Sequence, residues 1–410
     1  MSASTYFTRE NGKIQLTEAI ECSKEELQNI IGQNEAIIET KVIMWDGSIK
    51  NIKDIKIGDY VMGNDSTPRR VTKTSTSKKK SYIVTPSKGQ KFLCNSDTKF
   101  SVKGILPRIS IIKKNNNKYG VVFSKQCSET IRSFATMNEA ENFILTLKED
   151  IYDMPFSEYE ELSSNKQSQC YLYHIGLNFQ EKILPMDPYL IGYWLGHGTS
   201  RDPVVTILFD EIATEFTTIL QNYNLTIKQR GKKLYGILYD GKRGIGKNVF
   251  KNTLKTCNLI NNKHIPDIYK YNSYENRMRL LAGIIDSNGN AYGTYIDICQ
   301  INIDLANDIS YLAYSLGFMV SKKEVIKSSE YKGVTKYGIS QKITIFGNNI
   351  ENIPCILERK KCKKGLANKR SSCNKFSIQE SKSKTFYEIE VDGDGHYLTD
   401  DFMVACCSEL

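Results

Sequence analysis

The cysteines carry the most reactive side-chain chemistry in this sequence, and two of them are adjacent near its end. The chain has 11 cysteines, including Cys406 and Cys407, and they form no Cys-x-x-Cys pair. Without such pairs the sequence predicts no structural zinc site. Eleven cysteines in 410 residues are also too sparse for a disulfide framework. Free thiols are therefore expected, and their chemistry, as thiolates, is nucleophilic.

Basic residues are the second chemical feature. The chain has 56 Lys and Arg against 46 Asp and Glu, for a net charge of +10. This surplus favours a polyanionic partner such as double-stranded DNA, although a solvated Lys- and Asn-rich surface explains the charge equally well. Phosphate contacts require only basic side chains. The expected DNA-binding residues are Arg230, Lys232, Lys233, Lys242, Arg243 and Lys247.

Two helical segments have the spacing needed to position a shared site. Residues 188–195 and 277–286 mix small residues with large aliphatic ones, and the two segments begin about 90 residues apart, which suggests a duplicated α+β unit. Gly192 and Gly196 lie on one helix face, where small residues let another helix backbone approach closely. Either segment alone is best explained as an ordinary core helix. The tandem arrangement is more specific.

The remaining sequence predicts short strands. Residues 36–44 alternate and are β-branched, Asp46-Gly47 is a hairpin signal, and alternation returns at 385–404. Residues 104–183 are predicted as a mixed insertion with a helix at 138–147. The order predicts one β domain with the middle of the chain inserted in a surface loop. Further short strands are expected near 49–52, 58–62, 70–74, 81–85 and 91–93.

The paired helical segments resemble the LAGLIDADG homing endonucleases. Residues 280–289, LLAGIIDSNG, match that family's signature, and residues 190–198, LIGYWLGHG, match the form written LGLWLGDG. The resemblance implies two helices that cross at a pseudo-twofold axis, each delivering an acidic residue just before the final glycine to metal ions at the scissile phosphates. Those two acidic positions are His197 and Asn288 here. The basic residue expected near this centre is Lys263, in Lys-His-Ile-Pro.

The substitutions at the two acidic positions predict a dead nuclease. A neutral imidazole is a poor Mg²⁺ ligand, and an amide oxygen brings no compensating charge. Asp286 does not take the metal position in this family. We therefore expect no bound metal and a catalytically degenerate endonuclease domain. Mg²⁺ would be a cofactor only if the endonuclease were active.

The β segments resemble the conserved blocks of inteins. Residues 36–47, AIIETKVIMWDG, and 52–63, IKDIKIGDYVMG, are similar to the first block, and 387–391 and 397–404 are similar to the final blocks. The combined pattern is most similar to inteins of the yeast vacuolar-ATPase type. It implies a mainly β, horseshoe-like Hint splicing domain, interrupted by an α+β tandem-repeat LAGLIDADG endonuclease domain. It also implies autocatalytic splicing, with no cofactor.

Both splice-junction positions of the intein pattern are substituted. The first-nucleophile position is Ala36, which has no nucleophile, and the terminal asparagine position is Ala405, since no asparagine follows Asn374. Alanine at both junctions is the usual way to trap an unspliced precursor, so engineered substitutions are suspected. One natural intein class does begin with Ala and lets the downstream Cys attack directly, but that class still needs the terminal asparagine.

Other positions also match the intein pattern only in part. Thr98 stands where a histidine should protonate the scissile amide, and a hydroxyl is no general acid at neutral pH. Glu388 takes the usual aspartate position, and His396 is the nearby imidazole, one position out of register. Cys406 is the first downstream residue in the favoured register. In a rival register Ala405 replaces the penultimate histidine, and Cys407 is the nucleophile.

The resemblances together predict cis-splicing of a host protein, blocked in this chain, with host extein sequences in cis as partners. The alternatives are an active site-specific DNA endonuclease and a DNA-binding module without cleavage. No apolar stretch of eighteen residues occurs, so no membrane partner is expected. The protein is expected to be a monomer that is located inside the cell together with its host protein. The expected units are an N-terminal extein fragment (1–35), the N-terminal part of the splicing domain (36–130), an accessory DNA-recognition or linker region (131–183), the endonuclease-like domain (184–360), the C-terminal part of the splicing domain (361–405) and a C-terminal extein fragment (406–410).

Overall fold

The computed structural model shows a chain that is largely β with fewer helices. It describes residues 5–10, 13–18, 40–89, 91–103, 110–114, 118–122, 130–146, 151–241, 246–331, 334–364 and 372–407. Ala36, Lys242 and Arg243 lie outside these residues. Among the described helices, none has both the length and the apolar character needed to cross a membrane.

The helices lie mainly in the second half of the chain. Nine α-helices are found in the described residues: α1 Met137–Thr146, α2 Phe156–Glu161, α3 Ser164–Gln167, α4 Pro188–His197, α5 Asp210–Gln221, α6 Val249–Thr256, α7 Asp267–Lys270, α8 Tyr274–Asn288 and α9 Ile303–Ser315. Short 3₁₀ turns lie at Ile52–Asp54, Ile350–Asn352 and Glu358–Lys360.

Strands occupy both ends of the chain and alternate with the helices between them. In the first part they are β1 Thr5–Glu10, β2 Lys13–Glu18, β3 Lys41–Ile43, β4 Ile49–Asn51, β5 Tyr60–Met62, β6 Pro68–Pro86, β7 Phe92–Cys94, β8 Lys99–Lys103, β9 Ser110–Lys113, β10 Tyr119–Val122, β11 Thr130–Phe134, β12 Ile151–Pro155 and β13 Tyr171–Tyr173. Those that follow are β14 Val204–Thr206, β15 Leu225–Gln229, β16 Leu234–Tyr239, β17 Gly289–Tyr292, β18 Tyr295–Gln300, β19 Met319–Tyr331, β20 Val334–Phe346, β21 Cys373–Asn374, β22 Phe376–Val391, β23 His396–Leu398 and β24 Val404–Cys406.

The first sheet of the strands at the chain ends has the order β22-β6-β5, with β7 also paired to β6, and a long strand pair forms its centre. Strand β6 pairs antiparallel with β22 from Phe376 opposite Pro86 to Val391 opposite Val71. The sequence predicts two short strands at 70–74 and 81–85, and the structure has one continuous strand. The intervening Ser, Thr and Lys residues give no apolar signal, but they extend because β22 offers most of them ladder partners, with two register shifts along the pair.

A second sheet collects strands that are far apart in sequence. Its order is β21-β13-β8-β24-β23, and β12 pairs with β8 as well. Strands β12 and β13 come from the region expected as an accessory or linker segment, and here they lie beside Lys99–Lys103. This sheet therefore brings together residues near positions 100, 153, 396 and 405.

Helices α4 and α8 cross at two glycines. A Cβ added to Gly192 would lie 2.1 Å from the carbonyl oxygen of Leu280, and one added to Gly283 would lie 2.2 Å from that of Tyr189. Each helix starts at a side-chain cap, Asp187 for α4 and Ser273 for α8. Two small sheets flank the pair, β14-β16-β15 and β17-β18-β20-β19.

One large apolar core extends from this helix pair into the strands at the chain ends. Phe402 is fully buried, at a positive φ of 64°, and packs against the ring of Tyr311 with centroids 4.8 Å apart. Its ring also stacks on Tyr314. The hydroxyl of Tyr311 donates to the carbonyl of Gly47 at 3.0 Å. The helical part, from α4 to β20, and the terminal β part, which comprises β3 to β8, β12, β13 and β21 to β24, therefore share buried surface.

Candidate functional site

A cavity of about 100 Å³ lies between the two sheets of the terminal β part. Its lining includes Thr98, Glu388, Tyr397, Ala405 and Cys406. Four of these are residues that the sequence predicts at the splicing site. The cavity therefore collects, at one place, positions separated by about 300 residues of chain.

A hydrogen-bonded turn positions Thr98 and Glu388. The Asn95 side-chain oxygen accepts from the backbone N–H of Thr98 at 3.1 Å, and the Thr98 hydroxyl accepts from the N–H of Asn95 at 3.0 Å. The amide nitrogen of Asn95, which is fully buried, donates to Glu388 at 2.9 Å. Lys79 lies 3.5 Å from the same carboxylate. Asn95 is not among the residues predicted from the sequence, although Asn-x-x-Thr is a recognisable turn pattern.

Ala405 and Cys406 point to opposite faces of strand β24 because successive residues of a strand alternate. Ala405 packs with the apolar cluster that contains Val42 and Ile389, and Cys407 packs there too. The Cys407 sulfur accepts from the backbone N–H of Val391 at 3.3 Å. Burial raises the pKa of both thiols, so neither is activated as a thiolate here.

The side chain of His396 lies on the same face of the sheet as that of Cys406, opposite the face that carries Ala405, and His396 is not among the residues that line the cavity. It pairs directly opposite Cys406, and its Nε2 lies 3.0 Å from Asp153. Its Nδ1 lies 3.3 Å from Asp394. Burial alone would lower the pKa of His396, but Asp153 and Asp394 together raise it. Asp153 is not among the residues predicted from the sequence, because no motif near it marks it.

The second cluster lies at the C-terminal ends of helices α4 and α8. A Cβ at Gly196 would lie 3.4 Å from the Cβ of Asn288, so Asn288 packs against the residue that precedes His197 at this end of the crossing. The Asn288 amide donates to the carbonyl of Cys299 at 3.0 Å. Burial lowers the pKa of His197, and the charges of Lys360 and Lys263 lower it further.

Two lysines cap these helix ends. The ammonium of Lys263 donates to the carbonyls of Trp194, Leu195 and Gly198 at 3.1, 3.0 and 2.7 Å. Lys360 donates to the carbonyl of Gly289. Burial lowers the pKa of Lys263 to about 8. The three hydrogen bonds use every donor of the Lys263 ammonium.

This donor set does not fit a hard divalent cation. Two ammonium groups occupy the helix ends, and the residues at the expected ligand positions are uncharged. Asp286 is engaged elsewhere: its carboxylate accepts from Tyr189 at 2.8 Å and from the backbone N–H of Ile356 at 2.6 Å. Burial raises the pKa of Asp286 in spite of these bonds.

The predicted DNA-binding residues that the structure describes lie on the surface. Arg230, Lys232 and Lys233 are exposed in the turn between β15 and β16, and Lys247 is exposed with its ammonium 5.4 Å from the Tyr239 ring. Lys242 and Arg243 are outside the described residues. The turn forms a local group of positive charge next to a small sheet.

The terminal β sheets, with the cavity between them, are those of a Hint domain. The family described as Hom_end-associated Hint matches residues 38–406, which is most of the chain. The chain belongs to this family.

Other similarities are more distant. A replicative DNA helicase DnaB of Mycobacterium intracellulare is 27% identical over 237 residues, which cover 56% of this chain and 36% of the helicase. The chain thus matches about a third of that relative's length. Structures of the homing endonuclease I-DmoI, one of mesophilic variants and others with DNA and Ca or with DNA and Mn, align at a TM-score of 0.26 and 15% identity. The alignments cover 39% of this chain and 82%, 82% and 89% of those chains.

Proposed function

We propose that this chain is a self-processing intein precursor whose splicing is blocked. In splicing, the first intein residue attacks the preceding carbonyl, the first downstream residue takes the acyl chain, and a terminal asparagine cyclises to release the intein. Alanine at positions 36 and 405 removes the first and the last of these nucleophiles. The observation that carries the proposal is the single cavity lined by Thr98, Glu388, Ala405 and Cys406.

The cavity favours the register with Ala405 at the asparagine position. Ala405 and Cys406 line it, whereas Cys407 is not among its lining residues. A volume of about 100 Å³ leaves room for the amide group that asparagine would add to Ala405. Glu388, held by Asn95, is near enough to the cavity wall to orient a neighbouring polar group.

Restoring Cys at position 36 and Asn at position 405 tests the splicing proposal. The double variant should give excised intein and ligated flanks on a denaturing gel and by mass spectrometry. Ala405→Asn alone should give at most C-terminal cleavage, and Ala36→Cys alone only thiol-induced N-terminal cleavage. If the double variant persists at the mass of the full chain, 46.7 kDa, the register is wrong.

We further propose that the helical part is an inserted tandem-repeat endonuclease domain that has lost catalysis. Support comes from the order of elements: α4 is followed by a strand, α5 and two strands, and α8 by two strands, α9 and two strands. The neutral side chains and capping lysines at the helix ends argue against a metal centre. Incubation with Mg²⁺ and DNA carrying the vacant insertion site should give no cleavage. Metal-dependent cleavage would establish the alternative, an active homing endonuclease.

We propose that DNA binding survives in this part, because phosphate contacts need no metal. Replacing Arg230, Lys232 and Lys233 together by Ala should weaken binding and reduce the salt slope of log K by about 2 to 3. Lys56→Ala, an exposed position in the terminal β part, is the control and should change little. A gel-shift titration of the wild-type chain that detects no salt-dependent affinity would reject the DNA-binding proposal.

A further inference from the structure

The turn between strands β23 and β24 carries an aromatic residue in an unusual backbone conformation. Phe402 has a φ of 64°, in the left-handed region that bulky residues rarely adopt, and its side chain is fully buried. Such a conformation costs free energy and persists only where the surrounding structure fixes it. The ring contacts that fix Phe402 come from the helical part.

Helix α9 contacts the ring of Phe402 with two tyrosines. Tyr311 meets it edge-on, with centroids 4.8 Å apart and planes at 71°, and Tyr314 stacks on it at 6.0 Å and 18°. The Tyr311 hydroxyl donates to the carbonyl of Gly47 at 3.0 Å. The Tyr314 hydroxyl donates to that of Val320 at 2.9 Å. Aromatic pairs in these geometries stabilise a fold beyond the area that they bury, so two fixed rings hold Phe402 in place.

The backbone of the same turn is also connected to α9. The N–H of Ile175 donates to the carbonyl of Phe402 at 3.2 Å. Two residues further along, the N–H of Leu177 donates to the carbonyl of Ser315 at 2.8 Å. Ser315 is the last residue of α9. The helix therefore holds the turn through its tyrosine rings and, by way of this short segment, through its C-terminal end.

This turn leads directly into the strand that carries the downstream splice junction. Phe402 is three residues before Ala405, and Val404 between them is buried in the same apolar cluster as residues of α9. Strand β24 is only three residues long and ends at Cys406. Because so short a strand makes few ladder hydrogen bonds, its position depends strongly on the turn that precedes it.

We propose that Phe402, Tyr311 and Tyr314 are positioning residues for splicing, through which the helical part holds the Ala405–Cys406 peptide bond in the cavity. This inference rests on the proposed splicing function and deepens it. Cyclisation of an asparagine at position 405 requires close alignment of its amide with this peptide bond, and a misplacement of 1 Å can slow such a reaction about 100-fold. In this way a helical part without nuclease activity keeps a role in splicing.

Alkylation of Cys406 tests the positioning on the chain as it stands. Labelling with iodoacetamide is followed for each cysteine by mass spectrometry. In the double variant Tyr311→Leu/Tyr314→Leu, Cys406 should react about 10-fold faster, which corresponds to ~1.4 kcal/mol. The buried thiols of Cys94 and Cys170 should keep their rates, which shows that the strands around them remain folded. Tyr311→Phe/Tyr314→Phe keeps both rings and should restore the slow reaction of Cys406.

Phe250→Ala is the matched control, because it removes an equally buried ring from α6 of the helical part. It should destabilise that part without changing the labelling of Cys406. The proposal is overturned if the leucine variant labels Cys406 at the wild-type rate. It is also overturned if Phe250→Ala or the phenylalanine variant accelerates the labelling as much as the leucine variant does.

The variant Ala36→Cys/Ala405→Asn separates this inference from the splicing proposal. In that background, Tyr311→Leu/Tyr314→Leu should slow C-terminal cleavage about 10-fold and leave thiol-induced N-terminal cleavage unchanged. A general loss of stability would slow both cleavages equally, and that result would contradict the positioning role. If the parent variant does not splice, the proposed function fails, while the labelling of Cys406 still decides whether α9 holds strand β24.

Discussion

Replacing Gly192 by Ala should break the helix crossing that underlies the endonuclease-like part. An added Cβ would lie 2.1 Å from the carbonyl oxygen of Leu280, about 1 Å short of ordinary van der Waals contact. Both atoms of this contact are fixed to helix backbones, so no side-chain rotation relieves it. In an unconstrained helix, Gly→Ala stabilises the helix by ~0.5 to 1 kcal/mol. At Gly192 the same substitution should instead destabilise the fold.

The expected loss is about 3 kcal/mol, the upper end of the range for overpacked cores, because α4 and α8 must move apart as whole helices. With a urea slope of ~3 kcal/mol/M, the unfolding midpoint should fall by about 1 M. Tryptophan emission is a suitable probe because the chain has only two tryptophans. Trp194 is fully buried in α4, while Trp45 is 44% exposed. Emission therefore reports on the helix crossing itself.

Gly338→Ala is the matched control, because a Cβ there meets no atom within 4 Å. Its free energy of unfolding should stay within ~0.5 kcal/mol of the wild-type value. If Gly192→Ala unfolds with the midpoint of Gly338→Ala, the close approach of the two helices is not real, and the placement of His197 beside Asn288 fails with it.

Two further predictions concern buried charge. The guanidinium of Arg277, which is fully buried, donates to the Asn272 carbonyl at 2.9 Å and to the Ser315 carbonyl at 2.7 Å. Arg277→Lys should therefore lower the free energy of unfolding by about 3 kcal/mol, because it leaves buried carbonyls unpaired. Arg279 is half-exposed, so Arg279→Lys should lower it by under ~1 kcal/mol in the same urea titration. Burial and the neighbouring Asp401 raise the pKa of Asp400 from 3.8 to about 7. The folded state then holds this proton after the unfolded state has released it, so stability should fall as the pH rises through that window and level off above it. Asp400→Asn should flatten this fall in urea midpoints measured across the window, and an unchanged pH profile would contradict the assignment.

Local patterns in the sequence predict the parts of the fold that depend on neighbouring residues. The small-residue spacing around Gly192 predicts a close helix contact, and α4 and α8 lie at Pro188–His197 and Tyr274–Asn288. The helix expected at 138–147 lies at Met137–Thr146. The positions of Thr98 and Glu388 are also set by short motifs within β segments. These features need no knowledge of distant pairing.

Features that depend on distant pairing could not be predicted in this way. Asp153 reaches His396 only because β12 pairs with β8 and β24 lies beside β8, and no pattern near residue 153 shows this. Lys360 is a similar case, because it contacts the end of helix α8 only through the packing of distant segments. In the sequence, its basic segment indicates only surface charge.

The residues at which the chain leaves the second sheet and returns to it, His174 and Ser372, are hydrogen-bonded to each other. The backbone N–H of His174 donates to the carbonyl of Ser372 at 2.9 Å, so a loop of a few residues could replace everything between them. Deletion of this segment would also remove Tyr311 and Tyr314, which pack on Phe402. The ring of Phe402 would then be exposed as an apolar surface patch that favours aggregation. A shorter homologue that lacks the helical part would therefore need polar residues at the surface around Phe402.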